Sequence, residues 1–380
     1  MTTNAADRTT GPPRLLAIGP AFDGSSYARV VESTLEPLSA MWEIVHVAVN
    51  YHGGGGVGVG QALSLSRQAK SLSYTLVPNA DPFDRYASAT TNAVAESFEP
   101  DVIFVFDSFL DLPRYRSLPR GPRLVAQCPI LGEPEARWLI ERLAMYDCVV
   151  VLSEGVKQFI GDRLPNVAVI PHGFDASLFH PQREPHDEFV VLNANRDFER
   201  KRLDLTREGF ELFARGKSDV RLVMQNDGAL SDAELNRLYN ACDVGINTTT
   251  GEGWGMVSFE HAATGAAQIV PDAWVCGEIW RDHGVLLPAR PVAGRFTREH
   301  VVCAEDVANA LERLYRDRAY LAEMSQRALT LANDARFQWG AIAAEWDGVL
   351  RRTVIPSVVE GSGAWAARHP TTQVPRLRSG

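Results

Sequence analysis

A chain of 380 residues exceeds the roughly 250–300 at which a single hydrophobic core stops growing, so two domains are expected, and 45% apolar residues suffice for two cores. A net charge of −9 without a long basic stripe argues against nucleic acid as the main partner. Five scattered cysteines (Cys128, Cys148, Cys242, Cys276 and Cys303), odd in number and without paired metal spacing, argue against a disulfide frame or a zinc site and for reduced thiols in the cytoplasm. The start, 1–13, is polar, and the strongest apolar runs, 102–106 and 148–152, fall far short of the about 20 residues that span a bilayer. A soluble chain is therefore expected, with peripheral membrane contact left open.

In chain order, apolar runs alternate with helical patterns, which predicts βαβ units and parallel sheets, an α/β fold. The first half offers strands at 15–18, 44–49, 102–106, 124–126, 149–152 and 167–170. After the first comes a turn-like run at 19–26 with Gly24 and Ser25. A denser glycine run at 51–58 contains G-x-G-x-x-G at Gly53, Gly55 and Gly58, but it follows the second strand and meets the pattern by chance, so a flexible loop is expected there and not a dinucleotide fingerprint. The run at 126–133 carries Gln127 and Glu133, and Pro171-His172-Gly173-Phe174-Asp175 follows the sixth strand. Pro181 and Pro185 interrupt the pattern and mark a domain boundary near 175–185.

The second half offers strands at 189–193, 221–224, 244–247, 268–270 and 284–287, then helices from 304 to 331, a last helical stretch at 337–350 and a Gly, Ser, Pro and Arg-rich tail from 353 that reads as disordered. Arg196, Glu199, Arg200, Lys201 and Arg202 crowd together after the strand at 189–193; taken alone, such a run is usually a solvated face. The segment Gly251-Glu252-Gly253-Trp254-Gly255-Met256-Val257-Ser258-Phe259-Glu260 sets two carboxylates eight positions apart across a glycine loop between a strand and a helix. The helix is expected to keep Met256, Phe259, Ala263 and Ala266 on one face. Gly251, Gly253 and Gly255 let a backbone approach a ligand, and the first-turn N–H groups suit phosphate or sugar oxygens. Taken alone, Glu252 is also the kind of acidic residue common at helix starts.

The Glu-x7-Glu spacing in GEGWGMVSFE resembles the signature of retaining glycosyltransferases of the GT-B fold, family 4. The strand at 167–170 with the Pro171 to Asp175 run and Leu178-Phe179-His180-Pro181 resembles that family's hinge, and Arg196 with Lys201 resembles its Arg-x4-Lys pair. The resemblance implies two Rossmann-like domains facing across a cleft, an acceptor-side domain at 14–175 and a donor-binding domain at 176–336, with a helix at 337–352 returning to the first domain; the termini at 1–13 and 353–380 are expected to be disordered. It also implies roles. Arg196 and Lys201 would grip the donor diphosphate, Glu252 would meet the transferred sugar with N–H groups of Trp254, Gly255, Met256 and Val257, and Glu260 would hold the ribose hydroxyls. Gly24 and Ser25 would close over the phosphates.

The sequence departs from the family in two places. Only 226–230 intervene between the strand at 221–225 and the helix that begins at Ser231, so one βα unit of roughly 25 residues is missing near the base pocket. No His stands after the fourth strand, where many members place one; Gln127 or Glu133 could substitute, and His172 is the third acceptor-side candidate, although as a member of the hinge it reads more readily as structural. The implied activity is transfer of a sugar, a hexosyl group, from a nucleotide sugar to an acceptor hydroxyl, with no metal and no cofactor, since no Asp-x-Asp clamp is visible. A sugar-nucleotide epimerase of the same fold and a degenerate binding subunit are the alternatives. The sugar, the base, the acceptor (natural product, oligosaccharide or lipid-linked sugar) and the oligomeric state stay open.

Overall fold

The computed structural model describes residues 11–22, 25–51, 72–134, 137–226 and 230–354. Gly24, the glycine run at 52–60 and the tail from 355 lie outside them, so the readings placed there are not taken further.

Apolar runs in the first half form a seven-stranded sheet ordered β3-β2-β1-β4-β5-β7-β8. Its strands are β1 (Arg14–Gly19), β2 (Glu43–Ala48), β3 (Thr75–Pro78), β4 (Val102–Phe106), β5 (Arg123–Gln127), β7 (Cys148–Val151) and β8 (Val167–Val169), and every pairing is parallel. Covered on both faces, the central strands read as unbroken apolar runs; all of β4 is buried. β3, with Thr75 and Pro78 exposed, is an addition to the six expected strands, since an edge strand lacks that apolar signature.

In the second half, β9 (Phe189–Asn193), β10 (Val220–Met224), β11 (Val244–Ile246), β12 (Ala267–Pro271) and β13 (Val285–Leu287) form a parallel sheet ordered β10-β9-β11-β12-β13. All five coincide with expected strands. The helix Leu203–Ala214 covers this sheet and meets the helix Ala304–Arg316 so closely that a Cβ on Gly209 would lie 2.4 Å from Val307 Cγ1. Among the described residues β10 has β9 as its one neighbour, and the next helix is Asp232–Asn240, which Ser231 and Glu234 start with a reciprocal capping box.

The last helix, Trp339–Val354, packs on the helix Ser26–Leu38 and on β4. Trp346 meets Phe104 edge-on at 4.9 Å, and Trp42 Nε1 donates to Asp347 Oδ1 at 2.8 Å. Truncating a fully buried Trp such as Trp346 costs about 3–5 kcal/mol, so this return is strongly held.

A third, antiparallel sheet was not expected from the sequence. β14 (Arg290–Ala293) and β15 (Thr297–Val301) form a hairpin after β13, and β15 pairs with the short β6 (Glu133–Pro134), placing Arg298 opposite Glu133. This sheet ties the second half to the loop after β5. The helix after the glycine loop also differs: it spans Met256–Ala262, shorter than its apolar pattern, because Gly265 at φ +84° ends the turn, leaving Ala263 and Ala266 buried beyond it. Among the described residues no helix is long and apolar enough to cross a membrane. All five cysteines are free thiols, Cys303 exposed and the others buried.

Candidate functional site

Between the two larger sheets lies a cavity of about 920 Å³, lined by Ser25 and Arg29 from one side and by Arg196, Lys201, Glu252 and Glu260 from the other. The short turn Glu199–Lys201 follows β9, and Arg202 sits at φ +46° beyond it. This turn is clamped by the threonines after β11: Thr250 N donates to Arg200 O at 2.8 Å, Thr249 Oγ1 to Arg200 O at 3.2 Å, and Thr248 Oγ1 to Arg202 O at 2.8 Å. The Arg-x4-Lys segment and the glycine loop are thus one backbone unit.

Lys201 Nζ forms an ion pair with Glu252 Oε2, and the two side chains are 9% and 10% exposed. Burial would raise the Glu252 carboxyl, but Lys201 and Arg200 outweigh it and hold the group at about 2. Lys201 is lowered by burial, which Glu252 opposes. Arg200 braces the loop, donating from Nη1 to Gly251 O at 2.9 Å and lying 3.7 Å from Glu252 Oε2. The glycines do separate jobs. A Cβ on Gly251 would fall 1.6 Å from Leu131 O, so the loop touches the run after β5, whereas Gly255 is needed for φ +94° at the helix start.

Glu260 is compensated from across the cavity. Arg29, on the helix Ser26–Leu38, places Nη1 3.2 Å from Glu260 Oε1 and Nη2 2.5 Å from Asp232 Oδ1, with its guanidinium 5.5 Å from the Phe179 ring. Tyr239 donates its hydroxyl to Glu260 Oε2 at 3.1 Å. Nothing in the sequence marked Arg29, Asp232 or Tyr239: each sits inside an ordinary amphipathic helix, and their meeting depends on how the two sheets face each other. Arg200 was read as a member of the charge run without a role.

The structure brings together Arg196, Lys201, Glu252, Glu260, Ser25, Trp254, Gly255, Met256, Val257 and His172 on one cavity wall or another. Ser25 also caps its helix, accepting from Ala28 N at 3.1 Å. Trp254 stacks on Phe259 at 4.9 Å and meets Phe337 and His172, so its ring is part of an apolar joint between the halves. His172 is buried, which pushes its imidazole down to about 3, and its Nδ1 lies 3.4 Å from Gln127 Nε2. Two expected acceptor-side residues are not on the cavity lining. Gln127 is buried beside His172, and Glu133 belongs to the three-stranded sheet, facing Arg298 at 3.6 Å and His300 at 3.9 Å.

No protein-family model and no curated protein sequence matches the chain. Solved structures do. Anabaena HepE in complex with UDP and glucose superposes with a TM-score of 0.66 at 15% identity, over 90% of this chain and 100% of that one. Sucrose-phosphate synthase from Thermosynechococcus elongatus gives 0.63 at 16% identity, over 90% and 98%. Trehalose 6-phosphate synthase from Burkholderia multivorans gives 0.63 at 13% identity, over 90% and 97%. The chain has the GT-B fold. In GT-B terms its two Rossmann-like domains face each other across the cavity, with the glycine loop and the Arg-x4-Lys segment both on the second. At these identities the likeness shows the fold alone.

Proposed function

We propose that the chain is a retaining glycosyltransferase of family 4 type, moving a hexosyl group from a nucleoside diphosphate sugar to an acceptor hydroxyl without a metal ion or cofactor. The observation that carries this reading is the buried Lys201–Glu252 pair, with Arg196 and Arg200, on the wall of the cleft. When the bond from the anomeric carbon to the diphosphate oxygen breaks, its electron pair stays on the phosphate. Preorganised cations there stabilise that charge as it develops. Burial works against the charge on Lys201, and Glu252 sustains it. The acceptor oxygen attacks the same face of the anomeric carbon, and its proton passes to the leaving phosphate oxygen. Glu252 then meets the transferred sugar, and Glu260 holds the ribose.

The domain division proposed is 14–175 for the acceptor and 176–336 for the donor, with the helix from 337 returning to the first. The protein is taken to act in the cytoplasm. Because HepE is described with UDP, uridine donors are the first probes. The deciding experiment offers a panel of sugar nucleotides with and without hydroxyl acceptors, follows nucleoside diphosphate release and reads the product anomer by NMR. Acceptor-dependent release with retained configuration is expected. Conversion of the donor without an acceptor would establish the epimerase instead, and a panel that leaves thermal stability unmoved would overturn nucleotide-sugar binding itself.

A further inference from the structure

Both oxygens of Glu260 are engaged, Oε1 by Arg29 and Oε2 by the Tyr239 hydroxyl, and the carboxylate is 5% exposed. A ribose diol that is to bind this group must compete with those partners. Tyr239 is fully buried and fixed on its helix, while Arg29 comes from the other domain on a long side chain. Arg29 also has a second anchor. Asp232, 23% exposed, lies 2.5 Å from Nη2, and the guanidinium covers the Phe179 ring, so releasing Glu260 leaves Arg29 still paired and still packed. The planar fork reaches both carboxylates at once, which a single ammonium would not.

We propose that Arg29 is a cross-cleft positioning residue that competes with the nucleotide's ribose for Glu260 and retreats to Asp232 when the nucleotide binds. This rests on the reading of Glu260 as the ribose grip. Arg29 thereby sets donor affinity and links it to the approach of the two domains. The affinity for a ribonucleotide is weakened in proportion to the hold of Arg29 on Glu260. A 2′-deoxyribonucleotide, with less to offer Glu260, gains less when that hold is removed. Asp232 acts in the opposite sense, because it stabilises the retreated position.

The test is calorimetric binding of UDP and 2′-deoxy-UDP, repeated with ADP and GDP and their deoxy forms, to the full chain and its variants. Arg29→Met removes the charge while keeping an unbranched side chain and is expected to bind the ribonucleotide at least about threefold tighter, with a larger ribo-to-deoxy ratio. Asp232→Asn is expected to bind it more weakly, and Arg29→Met/Asp232→Asn to match Arg29→Met alone. Arg29→Lys, which retains charge and bulk, should fall between the full chain and Arg29→Met, and it serves if Arg29→Met does not fold. Weaker ribonucleotide binding by both Arg29 variants, or an unchanged ribo-to-deoxy ratio, would overturn the proposal and make Arg29 a ligand of the nucleotide or a structural clasp. Glu260→Gln separates the two layers. If it leaves nucleotide affinity untouched, the ribose-grip reading fails and takes this one with it, whereas weakened binding in Glu260→Gln with no gain in Arg29→Met sinks the competition alone.

Discussion

Glu252 and Glu260 stand eight residues apart and are both buried, yet they are neutralised in opposite ways. Glu252 meets Lys201 and Arg200, which the threonines at 248–250 clamp to the same loop within one domain. Glu260 meets Arg29 from the other domain, and the same guanidinium also pairs with Asp232. A carboxylate compensated locally keeps its partner however the cleft moves. One compensated across the cleft changes partner when the domains move, so the same residue type serves as a fixed electrostatic element at one end of the motif and an exchangeable one at the other.

The strongest way to break this comparison is to remove the fixed cation. Lys201→Met should lower transfer by about 100-fold or more, the loss typical of one preorganised oxyanion donor, and Arg196→Ala should fall in the same range. Lys201→Met also leaves Glu252 with only the more distant Arg200 as a cation, 3.7 Å away, and should destabilise the fold by up to about 3–5 kcal/mol in denaturant titrations. Lys201→Met/Glu252→Gln should recover most of that stability but none of the activity. Equal stability losses in the single and double variants would show that the pair is not electrostatically coupled.

The next effect separates the carboxylates. Glu260→Gln removes charge-assisted hydrogen bonds worth about 1.5–3 kcal/mol each, so free nucleoside diphosphate should bind about tenfold or more weakly. Glu252→Gln should bind free nucleoside diphosphate almost normally while turnover of the intact donor falls. If calorimetry gives the two variants the same loss of diphosphate affinity, the contrast between the two positions is wrong.

Acid titration of stability sharpens the same contrast. His46, His172 and His261 are buried and neutral, held by desolvation at about 4, 3 and 3. Their folded-state values lie below the ordinary 6.5, so the unfolded chain takes up protons first and each contributes a loss of about 1.4 kcal/mol per pH unit as pH falls below 6.5. The Glu252 carboxyl, depressed from 4.5 to about 2, adds stability that is complete above 4.5 and is lost as pH falls towards 2. Thermal unfolding should therefore soften first below pH 6.5 and again below 4.5. In Lys201→Met/Glu252→Gln the second step should shrink. The smallest expected effect is that of chelation: if Arg196, Arg200 and Lys201 serve the leaving phosphate as proposed, EDTA should leave the rate unchanged, and restoration of a lost rate by manganese or magnesium would contradict the cationic site.

Much of this protein was legible in its sequence, and the reason is locality. Buried parallel strands demand unbroken apolar runs, so β4 and β9 announce themselves; the glycine loop was also visible, but Gly251 is required by the close approach of the Leu131 carbonyl and Gly255 by its positive φ, not by the ligand approach expected of them. What the sequence left silent depends on residues far apart. β6 exists only because the hairpin at 290–301 reaches the loop at 133–134, and that pairing sets Glu133 opposite Arg298. Arg29 was one polar residue among others on the helix Ser26–Leu38 until the facing of two sheets set it between Asp232 and Glu260. Periodicity and spacing record what each segment must do by itself; which charge answers a buried carboxylate is decided only when separate segments are brought within a few ångströms.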